Sequence, residues 1–498
     1  MRRQVPRARR EALENALTPT PQRRAYAHPY VGITLAAVAV ACVAFVAGYP
    51  TVIYDSWGYH YLSEILRTKG LFAWPTDLRT YGYPAFLALL SGGRGLPAEE
   101  LRLLAFGVQL AAYLGACAVV ARRLARIYRS ESVGVWAYAV GALNPVLLIH
   151  TTEVLSDLLS AVLVQLAVAL SWRMPEGATR LKPSAAAFLS FLCAGAAVAV
   201  RPANAIVAVA LVSVWLLRGL LWWPIRAADV AAAGLGLFLP LVPQLLLNWR
   251  VFGKINPLIV HSLYRLQTQW GMGALKYGTV VIPGRSPFLQ YPNPLYRGDP
   301  SPAAFLAHHP LRYVGTLLLH AFAMVDYDYP FTFITGFRPW YRWPLALVNF
   351  TLLLLALAGC VLAVVRLLRG RGRRIDEAGF AQWSAILVAG AYVALYAPVE
   401  VENRFGLTVE ALMTPLIVSV GVWFFSDGAR RSQPRARAAL AAAMPAGVLA
   451  AVLLSAWISS KETNPVEPSP ANAFVLDPQR GTAAKAAPTP GPAAATPR

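Results

Sequence analysis

The chain has 498 residues, of which 57% are hydrophobic and 14% charged, and its formal net charge at neutral pH is +21. That apolar content excludes an ordinary water-soluble domain, and the lack of strand-like alternation excludes an outer-membrane β-barrel. Nucleic acid is excluded as a partner too, because Lys and Arg sit mostly between apolar runs, where they act as topological signals facing anionic lipid.

A basic arm, 1–30, comes first, with Arg2, Arg3, Arg7, Arg9 and Arg10. The apolar run behind it fills a whole span and has no small-x-small cleavage site, so it is expected to be a signal anchor with a cytoplasmic N-terminus. A helix crosses a bilayer with about 20 apolar residues. Such runs are expected at 31–53, 101–121, 132–149, 153–172, 184–200, 203–222, 228–249, 343–365, 379–397, 406–425 and 437–458. The fold class is therefore an all-α polytopic membrane protein with about 11 transmembrane helices.

One further segment, 311–335, is ambiguous. If it crossed, the basic loop from Arg366 to Arg374 would face outward. If 311–325 is an interfacial helix, that loop and Arg430, Arg431, Arg435 and Arg437 stay inside, as positive charge requires. The outer face then receives loop 54–100, the turns near 150 and 201, the long segment 250–342, and 398–405. Residues 31–458 form the membrane domain, and 459–498, rich in Pro, Ala and Thr, are expected to be a disordered tail. Cys42, Cys117, Cys193 and Cys360 lie in apolar runs without metal-ligand spacing and read as packing residues.

Charged residues gather on that outer face. Asp55 follows the first span in Tyr54-Asp55-Ser56-Trp57-Gly58-Tyr59, and the same loop carries His60, Glu64, Asp77 and Arg79. Stretches 57–68 and 82–91 have the spacing of two juxtamembrane helices. Glu153 and Asp157, four residues apart, share one face of the fourth span near its outer end. A helix N-terminus tolerates carboxylates, which is one account of Glu153. Asp157 lies deeper, where a charge costs about 2.5–3.5 kcal/mol, and that favours a functional role. Arg201 stands in a turn where topology does not favour positive charge; it either snorkels to headgroups or meets a phosphate or carboxylate. The last outer turn, Glu400-Val-Glu402-Asn-Arg404-Phe, contains an internal ion pair at least.

Four motifs now resemble the GT-C class of integral-membrane glycosyltransferases, which includes the protein O-mannosyltransferases and the aminoarabinose lipid A transferase. They are Tyr54-Asp55 after the first span, Arg79-x-x-Gly82-Tyr83-Pro84, Ser156-Asp157-Leu158, and Arg201-Pro202; the late turn Glu402-Asn403-Arg404-Phe405 adds to them. Tyr-Asp replaces the acidic Asp-Glu pair of the protein O-mannosyltransferases, which turns the expectation away from protein acceptors. The resemblance covers most of 31–425 and implies GT-C-like architecture. It also implies a polyprenyl-phosphate-linked sugar as donor, a lipid or glycan acceptor, and transfer at the extracytoplasmic face of the cell's inner membrane.

With that chemistry, Asp55 is the expected catalytic base and Asp157 its partner or a second acid. Arg79, Arg201 and Arg404, with Glu153, Tyr54 and His60, are expected to bind substrate. No cofactor is required, although two neighbouring carboxylates could instead hold a divalent metal. Two other functions fit the composition: a polymerase or ligase of polyprenyl-linked glycans, and a transporter or flippase. Transport predicts charges at mid-bilayer and helices broken there.

Overall fold

The computed structural model describes residues 27–47, 55–172, 174, 182–221, 224–279, 288–326, 339–369, 375–399, 401–426 and 433–463. Tyr54, Glu400, most of the basic arm and most of the expected tail lie outside the described residues. The first span is α1 (Ala27–Ala47), and two short helices follow in the first loop as expected, α2 (Asp55–Lys69) and α3 (Gly82–Leu90). Next comes the 30-residue α4 (Ala98–Ile127).

The run expected to cross at 132–149 is interrupted: α5 (Glu131–Ala142) ends before Asn144, and α6 (Pro145–His150) restarts behind it. Proline at 145 has no N–H to offer, and Asn144 Oδ1 accepts from the backbone N–H of Val146 and Leu147 at 3.0 and 3.3 Å. The crossing expected at 153–172 is α7 (Ser156–Ser171), apolar but only 16 residues long. Spans α8 (Pro183–Val200) and α9 (Ala205–Leu221) follow. Then α10 (Ala227–Phe238) runs through a tight turn into α11 (Val242–Phe252) as one 26-residue span.

The long outer segment holds α12 (Tyr264–Gly273), an antiparallel hairpin of β1 (Ala274–Thr279) and β2 (Phe288–Pro292), α13 (Pro302–His308) and α14 (Pro310–Met324). Nothing in the residue spacing announces that hairpin. The segment expected to lie at the interface is α14, which is not among the helices long and apolar enough to cross. After it come α15 (Pro339–Arg369) and α16 (Glu377–Tyr396). The run at 406–425 is α17 (Leu407–Leu412) and α18 (Thr414–Phe425), with a 46° bend between Asn403–Leu412 and Thr414–Phe425. The last helix is α19 (Pro434–Ser459).

Among the described residues, eight helices are long and apolar enough to cross a membrane, and the bent pair makes a ninth. The two remaining expected crossings are the short α7 and the interrupted α5–α6. The chain is an all-α polytopic membrane protein, and all four cysteines are free.

The ends of α7 reveal how charge is sorted. At its C-terminus, Arg123 donates to the carbonyls of Leu170 and Trp172 at 3.3 and 3.0 Å, and Arg218 to that of Ser171 at 2.9 Å. Its N-terminus, about 24 Å away by helix rise, carries Asp157. Arg123 and Arg218, from two of the basic loops expected inside, therefore lie at one end of α7 and Asp157 at the other. Where α8 crosses α10 the backbones nearly touch: a Cβ on Gly195 would lie 2.2 Å from the Leu237 carbonyl oxygen, and one on Gly236 2.4 Å from that of Phe188. Small residues permit this approach where lipid offers no hydrophobic drive to association.

One carboxyl lies deep in the bundle. Glu410 on α17 is 2% exposed and accepts from Asn144 Nδ2 at 2.9 Å, so the two helix breaks are joined to each other. Asn144→Ala removes both the cap and this bond. We expect it to lower unfolding free energy by about 1–2 kcal/mol, read as an earlier midpoint in detergent denaturation; an unchanged midpoint would show that the break is held by packing alone.

Candidate functional site

Asp55 begins α2, and its two carboxylate oxygens face different arginines. Arg79 Nη2 pairs with Oδ1, and Arg404 Nη2 donates to Oδ2 at 2.9 Å. Arg404 extends the chain, with Nη1 3.8 Å from Asp157 Oδ2 and Nε bonded to Glu402. Arg201 closes it by pairing with the other oxygen of Asp157. Arg201 also donates to the Tyr396 hydroxyl through Nε at 3.1 Å and Nη2 at 3.0 Å. Three guanidinium groups and three carboxylates thus form one balanced network drawn from four distant parts of the sequence.

Local structure aims each group. Arg79 is held by its backbone, whose carbonyl accepts from Trp74 Nε1 at 3.2 Å, and by the face of Tyr59, 4.6 Å from the guanidinium carbon. The Tyr59 hydroxyl lies 3.0 Å from Ser156 Oγ and so ties α2 to the start of α7. The guanidinium carbons of Arg201 and Arg404 stand 4.8 and 5.6 Å from the ring centroid of Phe405, so both cations meet one aromatic ring. Gly82 explains the Arg79-x-x-Gly82 motif. A Cβ there would sit 2.4 Å from the Ala199 carbonyl oxygen, so only glycine lets α3 abut the end of α8 beside Arg201.

Exposure is uneven across the network. The side chains of Arg79 and Asp55 are 21% and 18% exposed, Arg201 13%, Arg404 10%, Asp157 2% and Glu402 0%. Among the described residues the Asp55–Arg79 end is thus the most open. Burial alone would raise the Asp55 pKa, but the Arg79 and Arg404 guanidinium groups outweigh it and hold the carboxyl well below the usual range. Glu153 behaves oppositely. Burial pushes its carboxyl well above the ordinary value against the pull of Arg404, with Glu402 adding to the rise. Its Oε2 is 3.9 Å from His150 Nε2.

Of the residues expected at the site, Asp55, Arg79, Asp157, Arg201 and Arg404 are brought together, and Glu153 lies beside them. His60 is placed differently, 3.4 Å from the Leu96 carbonyl oxygen and stacked on Trp57. Asp77 pairs with His261. Tyr54 lies outside the described residues. Glu402 had signalled an ion pair through its spacing from Arg404, but not its complete burial. Tyr396 and Tyr59 carried no sequence signal, because aromatic residues are common at membrane interfaces.

Among the described residues no group of three or more His, Cys, Asp or Glu side chains could hold a metal ion. Asp55 and Asp157 both face guanidinium groups, so this donor set does not fit a divalent metal.

No protein-family model matches the chain, and no curated protein matches it either. Among solved structures, it is similar to the Archaeoglobus fulgidus oligosaccharyltransferase in the apo form, at 13% identity and a TM-score of 0.49, over 88% of this chain and 57% of that one. It is also similar to archaeal oligosaccharyltransferase AglB from Archaeoglobus fulgidus in complex with an inhibitory peptide and a dolichol-phosphate, at 14% identity and a TM-score of 0.38, over 89% and 56%. The chain spans a little over half the length of each.

Two predictions follow from the packing and the charges. Gly82→Val should force α3 off α8 and destabilise the protein by about 1–3 kcal/mol, seen as a lower melting temperature; wild-type melting would refute the close contact. Because the Asp55 pKa is depressed on folding, its stabilisation is complete above about pH 4 and is lost as pH falls through the depressed value. Melting temperature should thus fall steeply only below that point. Asp55→Asn should be less stable at neutral pH with a shallower acid limb, and an acid limb of equal depth would assign it to other carboxylates.

Proposed function

We propose that the chain is a membrane glycosyltransferase of the GT-C type, moving a sugar from a polyprenyl-phosphate donor to an acceptor hydroxyl at the extracytoplasmic face. The observation that carries this reading is the open end of the arginine–carboxylate network, where Asp55 and two guanidinium groups meet at the end of an apolar bundle. A lipid phosphate brings its negative charge to that end with its chain among lipid-facing helices, and guanidinium groups bind phosphate in paired hydrogen bonds.

The network also suits the chemistry. The bond from the sugar's anomeric carbon to the phosphate oxygen breaks, and its electron pair leaves with the phosphate, which gains one negative charge. The acceptor oxygen bonds to the anomeric carbon, and its proton passes to Asp55. In the resting network Asp55 is a weak base because two arginines hold its charge. A donor phosphate that takes Arg79 or Arg404 as its partner releases Asp55 from that arginine and raises its proton affinity, so the base is strengthened when substrate is present. The same guanidinium groups then face the charge that grows on the leaving phosphate. Asp157, enclosed between Arg201 and Arg404, keeps the cationic side in position.

Membranes carrying the protein, incubated with radiolabelled polyprenyl-phosphate sugars and lipid or glycan acceptors, should transfer label. Asp55→Asn should lower the rate by about 10²–10⁴-fold, and Arg404→Ala should lower it as well. Full activity in Asp55→Asn, or no transfer and no donor hydrolysis by wild type across the sugars tried, would refute the assignment.

A further inference from the structure

His320, on α14, lies outside the network and is 1% exposed. Its Nδ1 is 2.7 Å from the Ala397 carbonyl oxygen and its Nε2 is 3.0 Å from the Ala274 carbonyl oxygen. Both partners can only accept. A neutral imidazole has one N–H, so it satisfies one carbonyl and turns a lone pair toward the other, whereas an imidazolium donates to both.

The two carbonyls belong to segments that matter to the network. Ala397 follows Tyr396, whose hydroxyl accepts from Arg201. Ala274 opens β1, and three residues on, the Tyr277 N–H donates to the Val401 carbonyl at 3.0 Å, just ahead of Glu402 and Arg404. Strand β1 is itself anchored. Lys276 is 1% exposed and donates to the Asp326 carbonyl at 2.9 Å, while the Asp326 carboxylate accepts from Ser455 on α19 at 2.7 Å. The strand is a fixed rail, and it meets the α16–α17 connection at two points.

We propose that His320 is a positioning residue: doubly protonated, it clamps β1 to the end of α16 and holds Tyr396 and Arg404 where they engage Arg201 and the two aspartates. The clamp stands whatever chemistry the network performs; only its effect on catalysis rests on the glycosyltransferase reading. The titratable groups on the surrounding elements are Lys276 and Tyr277 on β1, Tyr392 and Tyr396 on α16, Glu402 and Arg404 after it, and Asp326 past α14. Lys276 is paired with Asp326 and Arg404 with its own carboxylates, and among the described residues no carboxylate meets the ring. Burial draws the imidazole below its ordinary value against the pull of the two carbonyls. The clamp therefore closes as pH falls on the acid side of neutrality and keeps only one of its hydrogen bonds above it.

The test uses full-length protein in nanodiscs, with ¹⁵N-labelled histidine and His320→Gln to assign the ring. On titration to acid both ring nitrogens should become protonated, and at about pH 8 only one should carry a proton. Hydrogen exchange of the amides from Tyr396 to Phe405, corrected for intrinsic rate, should slow on the order of tenfold at the lower pH, as one charge-assisted hydrogen bond is gained. His320→Gln should lose that pH response. A ring with one proton throughout the titration, protection independent of pH in wild type, or an unchanged response in His320→Gln would each overturn the proposal. If the variant fails to fold, the wild-type ring titration decides. A blank transferase assay beside a working clamp would refute the activity and leave the clamp standing.

Discussion

Charge neutralisation inside a low-dielectric bundle is the constraint on which the rest of the structure depends. Removing one partner from a buried ion pair costs about 3–5 kcal/mol, so none of the groups from Arg79 to Arg201 can be placed independently of the others. Asp157 is 2% exposed and faces both Arg201 and Arg404, while Arg404 reaches Asp55, Asp157 and Glu402. The start of α2, the start of α7, the end of α8 and the connection before α17 are thereby drawn to one place. Helices that share no hydrophobic preference for one another over lipid are given a definite register by their charges.

The surrounding fold relieves what that network strains. Gly82 removes the side chain that would hold α3 away from α8, and the Phe405 ring packs against two guanidinium groups. Burial raises the proton affinity of Glu153, which favours the neutral form for a fourth carboxyl near Glu402. At the opposite end of α7, Arg123 and Arg218 cap the helix carbonyls, matching the helix dipole with positive charge. The two ends of one short helix thus carry opposite charge.

A second layer, richer in backbone contacts than in charge, holds the first. The hairpin, α14 and α19 are joined through Lys276, Asp326 and Ser455, and they reach the network through the main-chain partners of His320 and Tyr277 and through the Tyr277 side chain near Arg404. The more exposed charges of the network are then few, while their precise placement comes from buried groups further back. The connection between α16 and α17 is where the two layers meet, since it supplies Tyr396 to Arg201 and Arg404 to both aspartates.

Much of this was legible in the residues themselves, because hydropathy and the distribution of Arg act over whole segments. Long apolar runs determined the class, and the spacing of basic loops assigned Asp55, Asp157, Arg201 and Arg404 to one side. The Asn144-Pro145 break was hidden because hydropathy does not register a cap. Pairing was hidden as well: nothing local connects Asp55 with Arg404, 349 positions away, or shows that His60 turns toward Leu96. The burial of Glu402 and the two-carbonyl setting of His320 arise only when distant backbones close around them. By itself the sequence determined what must cross the membrane and which charges share a face. Tertiary structure alone decided which charge holds which, because electrostatic partners are chosen by distance in space and not along the chain.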